Sequence, residues 1–159
     1  MRCGVSSDIS NLQRLKLHNS WIPGIDQIRP KPEIIAQKHK YFENISIFYS
    51  TYEDYVFEYI FNFQYKIRSD SKIYVPKENI ERKHIFCENM FPYDVSEGTY
   101  HYVIWYSYQP DSYKEIDNDI TSNLQLKLKH ENFEYIWYIN PKKSISQSYH
   151  LQVFWHEIL

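Results

Sequence analysis

Two long alternating runs, Thr99–Tyr108 and Tyr149–His156, restrict the fold more than anything else in the chain. Tyr, Trp, Val, Ile and Phe recur in them at a period of two, and such β-branched and aromatic side chains suit a pleated, half-buried surface. In the first run Tyr100, Tyr102, Ile104, Tyr106 and Tyr108 fall on one face and His101, Val103 and Trp105 on the other. In the second, His150, Gln152 and His156 share a face. If the two strands lie side by side, His101 and His150 meet in an aromatic-lined hollow. His156 lies about 20 Å along its strand from His150, too far to join it at one metal ion.

The remaining periodicities supply the partners for these strands. Glu33–Phe48, just after Pro32, carries Ile34, Ile35, Tyr41, Phe42, Ile45 and Phe48 at helical spacing. Ser50 and Glu53 form a capping box ahead of Tyr52, Tyr55, Val56, Tyr59, Ile60 and Phe63. That stripe predicts a helix lying on the sheet, with Glu53 and Asp54 at its positive end and Lys66 and Arg68 at its negative end. Short strands are expected at Ile73–Val75 and His84–Glu88, a second amphipathic helix through Ile116, Ile120, Leu124 and Leu128, and a strand at Phe133–Ile139. A turn at Asn140–Lys143 leads to the closing strand. Helices, strand pairs, helix and strand pair in this order predict an α+β fold, a mainly antiparallel sheet packed with two or three amphipathic helices. Residues 1–32 read as a loosely structured N-terminal segment, with a short helix through Leu12 and Leu17 and a turn at Trp21–Ile25, and residues 33–159 as one α+β domain.

Composition narrows the function classes. A net charge of −2 gives no basic field for nucleic acid, and no apolar run approaches the ~20 residues of a membrane span. The start of the chain has no apolar stretch of the signal-peptide kind, so secretion is not expected. Two cysteines, Cys3 and Cys87, without metal-ligand spacing fit a reducing compartment, cytoplasmic or nuclear, and no metal or cofactor is expected. Three glycines, Gly4, Gly24 and Gly98, are too sparse for a phosphate-cradling loop.

Asn89-x-Phe-Pro-Tyr93, His101-Tyr-Val-Ile-Trp105, Ile136-Trp-Tyr-Ile-Asn-Pro141, Ser144-Ile145 and His150-Leu-Gln-Val-Phe154 occur in one order. As a set, and with the Ser50–Tyr55 helix start, they resemble a mainly fungal family of domains of unknown function whose named member is N-acetylglucosamine-induced protein 1. The resemblance covers about residues 40–156 and implies no activity. This chain departs from the family pattern at Met90 and Phe91, where an acid and Trp are usual, and at Gln152, where a second histidine is usual.

More distantly, Gly98–Ile104 and Ile139-Asn140 … Gln147-Ser148-Tyr149-His150-Leu-Gln152 resemble strands of the histidine-triad nucleotide hydrolases and transferases. That resemblance implies His150 as a nucleophile toward an α-phosphate, Ser148 and Gln152 holding its oxygens, and Asn140 orienting ligand or loop. The triad's other histidines are absent, since Ser148, Gln152 and Phe154 stand in this stretch.

Read by themselves, the residues leave three alternatives. The first is a binding domain for a phosphorylated small molecule, sugar or nucleotide, in a cleft formed by Asn89, Tyr93, Trp105, Asn140, Ser148 and Gln152 with His101 and His150. The second is a histidine-triad-like enzyme with His150 and His101 as catalytic candidates. The third is a module that docks a protein partner through its aromatic face. Against any catalytic role, His101 and His150 also read as hydrogen-bonded histidines of the sheet, Asn89 as a turn former, and His84 and His130 as solvated. Cys87, with no basic neighbour, does not read as a thiolate nucleophile.

Overall fold

The computed structural model describes residues 30–95, 97–139 and 148–158. The expected N-terminal helix and turn, Asn140 and the Asn140–Lys143 turn lie outside these residues. The elements in order are α1 (Pro32–Phe48), α2 (Tyr52–Tyr55, running on as a π-helical turn, Val56–Ile60), β1 (Lys66–Ile67), β2 (Ile73–Tyr74), β3 (His84–Glu88), β4 (Thr99–Tyr106), α3 (Tyr113–Leu128), β5 (Phe133–Tyr138) and β6 (Tyr149–Glu157). β1 and β2 form a small antiparallel ribbon; the main sheet is antiparallel in the order β3-β4-β6-β5. The fold is therefore α+β, as the periodicities predict.

The period of two sets what each face of the main sheet meets. On one face Tyr102, Ile104 and Tyr106 of β4, Tyr135 and Trp137 of β5 and Leu151, Val153 and Trp155 of β6 pack on Ile116, Ile120 and Leu124 of α3. Ser112 caps α3 by accepting from Glu115 N–H, and Lys129 ends it in the left-handed conformation. On the other face Val103 and Trp105 pack with Ile45 of α1 and with Tyr55, Val56, Phe57 and Phe61 of the α2 region. Fully burying side chains of this size stabilises by about 1.5–3 kcal/mol each, which makes the register between β4 and β6 hard to shift.

The α2 region departs from expectation. Thr51, not Ser50, caps the helix: its Oγ1 accepts from Asp54 N–H at 3.1 Å and donates to Asp54 Oδ2 at 2.7 Å. Ser50 is occupied elsewhere, its N–H donating to Ile73 C=O and its Oγ accepting from Arg68. After one α-turn the backbone widens, Phe61 N–H donating to Val56 C=O at 3.1 Å, five residues back, and Asn62 then stops the helix at φ 61°. The wider turn breaks the α-helical stripe. Phe57 and Phe61 are buried, Tyr59 is 58% exposed, and Lys66 belongs to a strand. Asp54, 3% exposed, joins this region to the β2 end by accepting from Val75 N–H and from the Lys77 ammonium.

Candidate functional site

β4 and β6 are direct neighbours. Trp105 pairs with His150, Val103 with Gln152 and His101 with Phe154, all on the face that meets α1 and α2. A cavity of about 440 Å³ opens over this patch, within the range usual for small-molecule sites. Val103, Trp105, His150 and Gln152 form its floor. Tyr41 and Phe42 of α1 with Tyr55 and Tyr59 of the α2 region form one wall, and the segment from Asn89 to Tyr93 forms the other. The residues lining it include one cation, Lys38, and one carboxylate, Glu88.

The rings are packed edge to face or stacked. Tyr41 meets Tyr55 at 5.8 Å and Phe91 at 5.5 Å between centroids, Tyr55 stacks on Tyr59 at 5.4 Å, and Trp105 stacks on His150 at 4.6 Å. The Tyr41 and Tyr55 hydroxyls hydrogen-bond each other at 2.6 Å. Burial first, then this bond and the neighbouring tyrosines, push the Tyr55 hydroxyl's pKa up, so it stays protonated. Burial lowers the pKa of Lys38, and burial raises that of Cys87, which keeps the thiol uncharged at neutral pH.

The polar end of the cavity is one hydrogen-bond network. Asn89 Oδ1 accepts from Phe91 N–H at 2.8 Å, the Asx turn expected of this residue, and Asn89 N–H donates to His101 C=O. Asn89 Nδ2 donates to Gln152 Oε1 at 3.0 Å. His101 contacts the same oxygen through Nε2 at 2.5 Å, while its Nδ1 accepts from Tyr93 N–H at 3.0 Å. Motif residues separated by more than sixty positions in the chain thus converge on one amide.

The two histidines differ in depth. His150 lines the cavity, with Nδ1–H donating to Ser148 C=O at 2.9 Å. His101 does not line it. The ring is stacked on Phe154 at 4.3 Å, met by Tyr93 at 4.7 Å and only 4% exposed. Burial pulls its pKa down to about 4, with the Gln152 bond opposing and Lys38 adding slightly to the fall. The expected hollow therefore exists, but only one imidazole opens into it. The other stands behind Gln152, because the Asn89–Tyr93 segment folds back over it.

Of the remaining candidates, Asn89, Tyr93, Trp105 and Gln152 line the cavity with His150. Ser148 does not; its hydroxyl is buried without a hydrogen-bond partner among the described residues, and its carbonyl holds His150. The helix residues Lys38, Tyr41, Phe42, Tyr55 and Tyr59 were not among the candidates, since their spacing reads as core packing and only the tertiary contact turns part of it into a wall. His84 and His130 are paired rather than simply solvated, His84 with Asn123 at 3.0 Å and His130 with Glu157 at 2.8 Å. Among the described residues no group of three His, Cys, Asp or Glu is placed to hold a metal ion, and no helix is long and apolar enough to cross a membrane.

No family model matches the chain, and no curated protein matches it either. A solved crystal structure of HTC1 is similar in fold, with a TM-score of 0.52 at 14% identity over 97% of this chain and 86% of that one. At this identity the likeness concerns the fold alone.

Proposed function

We propose that the domain binds a small ring-bearing ligand of the sugar or nucleotide class, with or without phosphate, in the cavity between the sheet and the α1–α2 region. The observation that carries this reading is the lining itself. Aromatic rings stand on the floor and both walls, and a fixed Asn89–Gln152 amide pair sits at one end. Aromatic faces suit a flat or ring-shaped ligand, and a few placed polar groups fix its orientation. Lys38 is the lining cation for a phosphate. The test is a thermal-shift and NMR titration series with nucleotides and sugar phosphates. Binding that Trp105→Ala abolishes supports the reading, and a protein that responds to none of them defeats it.

A second reading, histidine-triad-like catalysis, is favoured by one observation. His150 lines the cavity with its Nδ1–H held by the Ser148 carbonyl, which fixes the orientation of the ring. In this reading Nε2 attacks an α-phosphorus, the leaving group departs with its electron pair, and water then cleaves the N–P bond. Hydrolysis of a nucleoside phosphoramidate that disappears in His150→Ala, with the nucleoside monophosphoryl group trapped on His150 and the amine released, is the expected result. Turnover unchanged in that variant removes His150 from the chemistry.

A further inference from the structure

We infer that the Gln152 amide is locked as a hydrogen-bond donor to the cavity, and that the site selects a base with an oxo group at the position that meets this amide, C4 of uracil or C6 of hypoxanthine, over one with an amino group there. The inference rests on the small-molecule reading above and deepens it.

The lock begins at a group with no choice. Tyr93 N–H can only donate, so His101 Nδ1, 3.0 Å away, must accept. A neutral imidazole has a single N–H, which this contact places on Nε2, and deep burial among Phe154, Tyr93 and Gln152 keeps the ring neutral. The Nε2–H then needs an acceptor, and the Gln152 side chain at 2.5 Å supplies one only through its oxygen. Asn89 repeats the demand: its own oxygen is taken by Phe91 N–H, so its amide nitrogen donates to the same Gln152 oxygen.

Both lone-pair positions of Gln152 Oε1 are thereby filled. The NH₂ group makes no hydrogen bond to the described residues and belongs to a side chain that lines the cavity. Turning the amide over would set its NH₂ against two donors and break both bonds. With each bond worth about a factor of five to ten, the flipped form is a small minority. A sugar hydroxyl, which both donates and accepts, could adapt to either orientation; a ring carbonyl or ring amine cannot. The stacked Trp105 and His150 rings lie on the same floor as Gln152, where a planar base can lie against them with its edge toward the amide.

The experiment compares matched nucleosides, uridine with cytidine and inosine with adenosine, by ¹⁵N–¹H titration of the full chain. The 4-oxo or 6-oxo member of each pair should bind about tenfold more tightly and shift the Gln152 side-chain resonances, since its rival sets an amino group at that position against the amide NH₂, a desolvated donor facing a donor. Gln152→Glu, which still accepts from His101 but cannot donate, should erase or reverse that preference. Equal affinities within both pairs overturn the inference, as does a preference that survives Gln152→Glu. If the nucleosides do not bind but sugar phosphates do, the inference falls and the small-molecule reading stands; if neither class binds, both fall. Because a carboxylate at this buried position endangers folding, ring ¹⁵N spectra of His101 in the unsubstituted protein give a second readout. The Nε2–H tautomer supports the lock, and an Nδ1–H or doubly protonated ring at neutral pH overturns it.

Discussion

Replacing Gln152 by Leu, similar in size, deletes the one oxygen on which two donors converge. The His101 Nε2–H, in a residue only 4% exposed, is left without an acceptor. An orphaned buried donor of this kind costs about 1–3 kcal/mol. Asn89 is half-buried and borders the cavity, so its nitrogen can turn to water and its loss adds only about 0.5–1 kcal/mol. The apolar burial gained by Leu offsets up to about 1 kcal/mol. The net expectation is a destabilisation of about 1–3 kcal/mol, which for a chain of this length lowers Tm by roughly 3–10 °C. Urea unfolding at pH 7 followed by tryptophan fluorescence measures it, with the m-value required to stay constant. A double-mutant cycle isolates the cause. His101→Phe removes the donor while keeping a ring against Phe154, so adding Gln152→Leu to that background should cost at least about 1 kcal/mol less than in the unsubstituted protein. A Gln152→Leu protein within about 0.5 kcal/mol of the original, or strictly additive effects, would refute the claim that a buried imidazole N–H depends on this amide.

Further outcomes follow from the same geometry. His101 takes a proton less readily folded, near pH 4, than unfolded, near 6.5, so its stabilisation is whole above about pH 6.5 and is lost as the pH falls toward 4. The change is on the order of 3 kcal/mol, and His101→Phe should flatten that part of the stability–pH curve. Ile120→Ala, fully buried under the opposite face of the sheet, should lower stability by about 2–5 kcal/mol yet leave ligand affinity in the cavity unchanged, whereas Trp105→Ala, which removes a core ring that is also the cavity floor, should cost about 3–5 kcal/mol and weaken binding as well. Asp54→Ala orphans Val75 N–H and removes the carboxylate partner of Thr51, while the exposed Lys77 ammonium keeps its bond to the Val75 carbonyl, for an expected loss of about 2–3 kcal/mol by denaturant titration. Burial alone would raise the Asp54 pKa, but the bonds from Lys77, Val75 N–H and Thr51 and the Lys77 charge hold it below the usual value. Its contribution is therefore present above about pH 3.9 and is lost only as the solution becomes more acid than that.

The main sheet was legible because its signal is local. β3 spans His84–Glu88 as read, and β4, β5 and β6 end within two residues of expectation, since alternation follows the pleat directly. The Ile116, Ile120, Leu124 and Leu128 spacing located α3 in the same way, with the first three of these residues fully buried. The α2 region was misread for a non-local reason. Ser50 had the right spacing for a cap, but Arg68 and the Ile73 carbonyl claim it, and Thr51 takes the role. The π-turn left no periodic trace, since Tyr59 and Phe57 are equally apolar in sequence and only packing decides which turns inward.

The sequence by itself determined the α+β class and each strand's faces, His101 with Trp105 on one strand and His150 with Gln152 on the other, while the antiparallel register of β4 on β6 decided that these faces lie on one side of the sheet. Tertiary structure alone decided their depths. A period of two assigns a face, whereas whether that face is sealed or open depends on what the rest of the chain lays across it. Here the Asn89–Tyr93 segment closes over His101, while α1 and the widened turn of α2 stand back from Trp105, His150 and Gln152, leaving a cavity above them. No pattern of neighbouring residues encodes that difference, because it arises from contacts between segments dozens of positions apart.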